Sequence, residues 1–298
     1  MIMFGGFDMS GKRRFGDRKD GKLLRNIDSM HFICPIIYPN RCDNEAYISE
    51  KIDMTAMDSY IQKKNAADPE FKYTSFQAIV TAMLKVITLR PKLNRFIVNG
   101  NTYQRNDITA SFVVKKSFDD SGEEGLAFVK ADPEGNIESV HQAIYDQIKL
   151  ARGGESKDAS SESMDMFNKM PRIISKTLVK IIRFLDKFGM VPQSLIASDP
   201  YYSSVLLSNL GSIKLHAGYH HLTNWGTLSL FVIVGERKPR PFTDVNGKNE
   251  MRDSLDLGLT IDERLADGYY YSRSVALMKK LLENPELLDL PLGQEVDY

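Results

Sequence analysis

Along Thr74–Leu89 the apolar residues Phe76, Ile79, Val80, Met83, Leu84 and Ile87 recur at spacings of three and four. That period predicts a buried helix, ended by Pro91. Thr55–Asn65 reads as a second helix with Asp53 or Thr55 near its cap, and Ile137–Leu150 as an amphipathic third. Phe96–Val98 and Thr102–Tyr103 flank Asn99-Gly100, two residues that tolerate φ > 0, and so predict a hairpin. Met30–Pro39, Ala46–Ile52, Ile108–Lys115, Gly125–Lys130, Val205–Leu207, Leu228–Gly235 and Leu255–Thr260 read as strands, and Ser272–Leu282 as a closing helix. There is no internal repeat, and strands mixed with helices predict an α/β domain.

The most amphipathic stretch is Phe167–Phe188. Lys169, Arg172, Lys176, Lys180, Arg183 and Lys187 form one stripe, and Met170, Ile174, Leu178, Ile181, Leu185 and Phe188 the opposite one. Pro171 suits the first turn of such a helix and Gly189 its C-terminal cap. The apolar stripe is expected to dock on the body of the domain, since each large side chain left in water costs about 1.5–3 kcal/mol relative to burial. The other destination for residues 167–188 is a membrane surface. Before this helix, 153–163 is polar and small and reads as a linker. The organisation expected is a basic, glycine-rich arm over 1–28, flexible or strapping, then one domain over 29–298 with an inserted helical segment at about 164–200.

With 42% apolar residues in 298, a large core is affordable. Lys plus Arg and Asp plus Glu both number 39, which gives no global attraction to nucleic acid. Cys34 and Cys42 are the only cysteines and share no metal-ligand spacing, so neither a disulfide framework nor a zinc site is expected. Gly218 interrupts any helix that would align His216 and His220 on a metal. No apolar run reaches the length of a membrane span and the first residues lack a secretion signal, so a cytoplasmic protein is expected.

Candidate chemistry concentrates in three segments: Ser208-Asn209-Leu210-Gly211, Tyr219 to Thr227, and Asp262-Glu263-Arg264-Leu265-Ala266-Asp267-Gly268. In this order they resemble the catalytic core of the acyltransferase component of 2-oxoacid dehydrogenase complexes and, more distantly, chloramphenicol acetyltransferase. That family carries a Ser-Asn/Ser-Leu-Gly stretch, then Asp-His-Arg-x-x-Asp-Gly. The second motif is met at 262–268 except at its histidine, where Glu263 stands. Arg90-Pro91-Lys92-Leu93-Asn94, Glu124-Gly125-Leu126 and Glu283-Asn284-Pro285-Glu286-Leu287-Leu288 also resemble family stretches. The resemblance spans roughly 30–290, with 167–200 as an addition.

The resemblance implies a chloramphenicol acetyltransferase-like two-layer sandwich, a mixed β-sheet flanked by helices. It implies a homotrimer whose sites lie between subunits, and coenzyme A or acyl-CoA as substrate, with no metal. Neither a lipoyl attachment site nor a partner-binding domain is expected ahead of the core. By the resemblance Ser208 donates to the oxyanion, Asp267 pairs with an arginine to fix the loop with Asp262, Arg264 and Gly268, and Asn209, Asn224 and Trp225 contact substrate.

The base is open. A free glutamate titrates near ~4.3, a histidine near ~6.5 and a thiol near ~8.5, so an exposed carboxylate matches the task poorly, and its charge repels the thiolate and oxyanion. A buried Glu263 can serve; His220 and His221 are the alternative bases. Three functions follow: an acyltransferase with a rebuilt base, a non-catalytic relative acting as oligomeric scaffold or acyl-CoA binder, and a peripheral membrane protein.

Overall fold

The computed structural model describes residues 14–115, 124–152, 168–243 and 246–298. The predicted linker over 153–163 and residues 1–13 of the arm lie outside them. A six-stranded sheet runs in the order β2 (Glu45–Asp53), β9 (Asn249–Asp262), β8 (Leu230–Thr243), β7 (Val205–Asn209), β5 (Thr109–Lys115), β6 (Glu124–Lys130). β7 lies parallel to both β5 and β8, and the remaining pairs are antiparallel, so the sheet is mixed. A second sheet, β1 (Gly21–Leu23), β4 (Asn101–Arg105) and β3 (Arg95–Val98), stands beside it.

Alternation along the strands divides the two faces. Val205, Leu207, Leu230, Val232, Val234, Leu257 and Leu259 join the main core beneath α2 (Thr55–Asn65), α3 (Ser75–Leu89), α4 (Ile137–Arg152) and α7 (Gly268–Glu283). Leu206, Phe231 and Ile233 point the other way, where Leu222 and Leu228 of a long loop cover them. α3 starts with a reciprocal cap between Thr74 and Gln77, and it buries even Lys85, whose ammonium donates to the carbonyls of Leu290 and Pro291 at 3.3 and 2.6 Å. The Asn99-Gly100 turn has φ of 51° and 73°, as its residue types require.

Four expectations are corrected. Met30–Pro39 is not a strand: Ser29–Ile37 forms helix α1, capped by Asp28, whose side chain accepts from the His31 N–H. Its apolar run is too short to separate the two periods, and the cap residue decides. The two strands predicted near 228–235 and 255–260 are parts of one long hairpin. Beyond a bulge at Val234–Arg237, 239–243 of β8 and 249–253 of β9 pair among the described residues only with each other, as a two-stranded arm. The closing helix begins earlier than Ser272, because Asp267 caps it. Finally, Arg172–Lys187 (α5) follows Pro171 and is ended by Gly189 with φ +65°, but half of its apolar stripe is not docked. Ile182 and Leu185 rest on Val191, Ile196 and Tyr202, and Met170 and Leu178 are half-buried, while Ile174, Ile181, Phe184 and Phe188 stay exposed. Gln193–Ser198 (α6) follows.

From Arg14 onward the arm is ordered against the body. β1 pairs with β4, and Arg18 is buried against Asp20 and Asp186 at 2.8 Å each. No described helix is long and apolar enough to cross a membrane.

Candidate active site

Ser208 and Asn209 end β7, both half-buried. Ser208 pairs with Ile233, and by strand alternation its side chain shares the outer face with Leu206, Phe231 and Ile233. The loop over 215–228 crosses that face. His220 lies flat on Phe231, ring centroids 4.4 Å apart, and His221 stacks on His220 at 4.7 Å. His220 Nδ1 is 2.9 Å from the His221 carbonyl oxygen. A carbonyl only accepts, so Nδ1 carries the proton of this bond and Nε2 is the ring nitrogen left to exchange one. Phe231 is two residues from Ile233, which places His220 on the same face as Ser208, roughly 8 Å away along the sheet. His216 turns away to Glu236, 2.8 Å off.

Glycines let this loop lie close on the sheet. A Cβ on Gly258 would sit 2.0 Å from the Gly218 carbonyl oxygen, and one on Gly235 would sit 2.4 Å from the Ala217 nitrogen. These contacts were invisible in the sequence, because each pairs residues far apart along the chain.

The turn after β9 is built differently from expectation. Asp262 is fully buried; its carboxylate takes Arg264 Nε at 2.8 Å and Nη2 at 2.6 Å, with Arg41 Nε at 3.7 Å. Arg264 also donates to the Tyr38 carbonyl at the end of α1. Asp262, not Asp267, therefore holds the arginine. Asp267 is exposed and caps α7, accepting from the Tyr270 N–H at 2.8 Å, a bond that lowers its pKa. Gly268 is the first residue of α7. The Glu263 side chain is exposed, so the burial that a glutamate base needs is not provided by this chain alone.

Sequence reasoning missed Arg41. Its buried guanidinium donates to the carbonyls of Thr223, Gly226 and Ile97, and its backbone N–H donates to Asn224 Oδ1 at 2.8 Å. Burial lowers its pKa, opposed by Asp262. Arg105 does the same one layer over, donating to Tyr202 and Thr227 carbonyls, and burial pushes it down to about 10. Trp225 donates its indole N–H to Asp199 at 2.6 Å, and burial raises the Asp199 pKa. Asn224 and Trp225 line a cleft of about 510 Å³ between α1 and α5, with Arg41, Arg183, Lys187 and Arg264. Glu263, Asp267 and Gly268 line a separate cleft of about 500 Å³ between β2 and α7.

Ser208 and Glu263 do not meet within one chain. Ser208 pairs with Ile233 and Ile233 with Gly258, while Glu263 lies five residues further on, just past the end of β9. At ~3.3 Å per residue that is roughly 16 Å along the strands, two strands over. The two also open on different sides of the sheet, Ser208 under the histidine loop and Glu263 into the cleft beside α7.

This architecture is the chloramphenicol acetyltransferase-like fold of acyltransferase cores. Residues 193–290 match the family model of the 2-oxoacid dehydrogenases acyltransferase (catalytic domain). The dihydrolipoamide acetyltransferase of Azotobacter vinelandii superposes with a TM-score of 0.58 at 13% identity, over 97% of this chain and 100% of that one. A truncated catalytic core of the 2-oxoacid dehydrogenase multienzyme complex from Thermoplasma acidophilum gives 0.51 at 19%, over 88% and 99%. A chloramphenicol acetyltransferase gives 0.54 at 14%, over 90% and 99%. No curated protein matches the chain significantly by sequence. The match over 193–290 supports acyl transfer as the general chemistry; at these identities the structural likeness speaks for the fold alone.

Proposed function

We propose that the protein is an acyltransferase that moves an acyl group between coenzyme A and a thiol, hydroxyl or amine acceptor, in the cytoplasm and as a homotrimer. The observation that carries this is the seating of His220 flat on Phe231, on the face that also bears Ser208, with Nδ1 held at the His221 carbonyl oxygen. His220 Nε2 takes the proton of the attacking nucleophile, which adds to the thioester carbonyl. Ser208 donates to the resulting oxyanion. Collapse expels the thiolate, which recovers the proton from His220. His221 supports the stack. The exposed Arg183 and Lys187 in the lining of the cleft at Asn224 and Trp225 suit the phosphates of coenzyme A, while Asp186 of the same lining is held by Arg18.

Assembly completes the site in this reading. Glu263 is too far from Ser208 in its own chain, so a neighbouring subunit brings its 262–268 turn to the serine. The exposed apolar face of α1, with Phe32, Ile33, Ile36 and Ile37, is an assembly contact. In the Azotobacter protein a serine, a histidine and an asparagine have a role in the catalytic mechanism; the last two stand four residues apart, as Glu263 and Asp267 do.

The second reading is a non-catalytic acyl-CoA binder or scaffold, favoured by the exposed carboxylate of Glu263 where the resemblance places a histidine. Acyl-thioester consumption by the purified protein separates the two. Turnover that is lost in Ser208→Ala supports transfer. Coenzyme A binding by calorimetry without any turnover supports the scaffold, and a monomer in sedimentation at micromolar concentration removes the shared site.

A further inference from the structure

The helix α5 presents three arcs. At 100° per residue, Ile173, Ile174, Ile181, Phe184 and Phe188 fall within an arc of about 100°. All five are exposed, Ile173 at 80% and Phe184 at 61%. Arg172, Lys176, Lys180, Arg183 and Lys187 fill the adjoining arc of about 80°. The third arc holds the helix to the protein: Ile182 and Leu185 pack on Val191, Ile196 and Tyr202, and Asp186 pairs with buried Arg18. Asp186 is the only acidic residue of the helix, and it is turned inward. The outward surface is therefore apolar and cationic with no negative side chain of its own. α5 precedes the segment that matches the acyltransferase family model, and only Arg183 and Lys187 of its outward surface line the cleft proposed for coenzyme A.

We propose that the outer surface of α5 docks the protein on an anionic lipid bilayer. A helix of 16 residues is about 24 Å long and lies flat in the headgroup region. Its apolar arc enters the acyl boundary, and its lysines and arginines meet anionic headgroups. The charge complementarity selects the occupant: an apolar partner alone would leave Arg172, Lys176 and Lys180, which lie outside the coenzyme A cleft, unmatched beside it. Lys176, Lys180, Ile181 and Phe184, which carry the test, lie outside the cleft used in the acyl-transfer reading.

The test is co-sedimentation of the full chain with protein-free vesicles of phosphatidylcholine, alone or mixed with phosphatidylserine. The protein should pellet with the mixed vesicles only, and salt should release it. Ile181→Ser with Phe184→Ser should abolish pelleting. Lys176→Glu with Lys180→Glu should weaken it by roughly tenfold or more. Both pairs are exposed, so thermal melting should not change, and that measurement identifies a variant that has merely unfolded. The proposal is overturned if the native chain ignores anionic vesicles, or if either variant with an unchanged melt binds as the native chain does. It is also overturned if Ile181→Ser with Phe184→Ser dissociates the oligomer, because the arc then faces another copy of this chain.

Discussion

Arg264 forks onto Asp262, two residues before it, and neither side chain is accessible to solvent. Arg41 approaches the same carboxylate from another element. Asp262→Ala leaves two buried guanidiniums without their anion and should destabilise the protein by about 3–5 kcal/mol. Asp267→Ala removes only a helix cap and should cost about 0.5–2 kcal/mol. Urea denaturation of the two variants ranks them; the reverse order would restore Asp267 as the residue that fixes the loop.

Gly258→Ala should displace the loop that carries His220. The new Cβ would meet the Gly218 carbonyl oxygen at 2.0 Å, backbone against backbone, with no flexible side chain to give way. A loss of about 1–3 kcal/mol is expected from such overpacking. Gly218→Ala opens into free space and should be neutral. Melting temperatures and acyl-transfer rates of the two variants should diverge in parallel.

His141 should make stability depend on pH. It stacks on Tyr73 at 3.7 Å, lies 3.1 Å from Gln77 Oε1, and burial lowers its pKa from 6.5. The unfolded ring binds its proton near 6.5 and the folded ring only at lower pH. In that window the unfolded state holds more protons, so stability falls as the pH is lowered through it. His141→Phe keeps a ring in the stack without the titration. Denaturation midpoints between about pH 5 and pH 7.5 should vary less in the variant than in the native chain.

In acyl transfer near neutral pH, Ser208→Ala should reduce the rate by about 10²–10³ through loss of an oxyanion donor. His220→Ala should cost more than Glu263→Gln, because a neutral imidazole holds a usable lone pair there and an exposed carboxylate is a weak base. Thioester consumption by the single variants, with His221→Ala beside them, measures the order. Loss of turnover in Glu263→Gln with both histidine variants unaffected would make Glu263 the base.

Elements with a local code were readable in the chain. The bounds of α2 followed from the cap region at Asp53 and Thr55, those of α3 from the apolar period across Thr74–Leu89 and from Pro91, and the hairpin from Asn99-Gly100. α1 was not, because nine mostly apolar residues around Pro35 fit either period until Asp28 is seen to cap them. The length of the β8–β9 hairpin was hidden because its outer half is polar and buries nothing on a core. The site divides the same way. Ser208 and Glu263 stood out by motif, but their separation across the sheet depends on register. Arg41 carried no local signal, since its partners lie more than fifty residues away.

The arm beyond Val234 leaves β8 with an open edge once β7 has ended. Such an edge invites a foreign strand, which is how folded proteins begin to fuse into insoluble sheets. Pro239 and Pro241 both sit on this stretch, opposite Asp253 and Met251. A strand tolerates proline only where its missing N–H would face away from the paired neighbour, so both remove donors from the open side. Arg237, Lys238 and Arg240 add charge that a joining strand would have to desolvate. The projecting hairpin can therefore reach into its surroundings with its side chains while the β8 edge of its backbone resists the addition of a foreign strand.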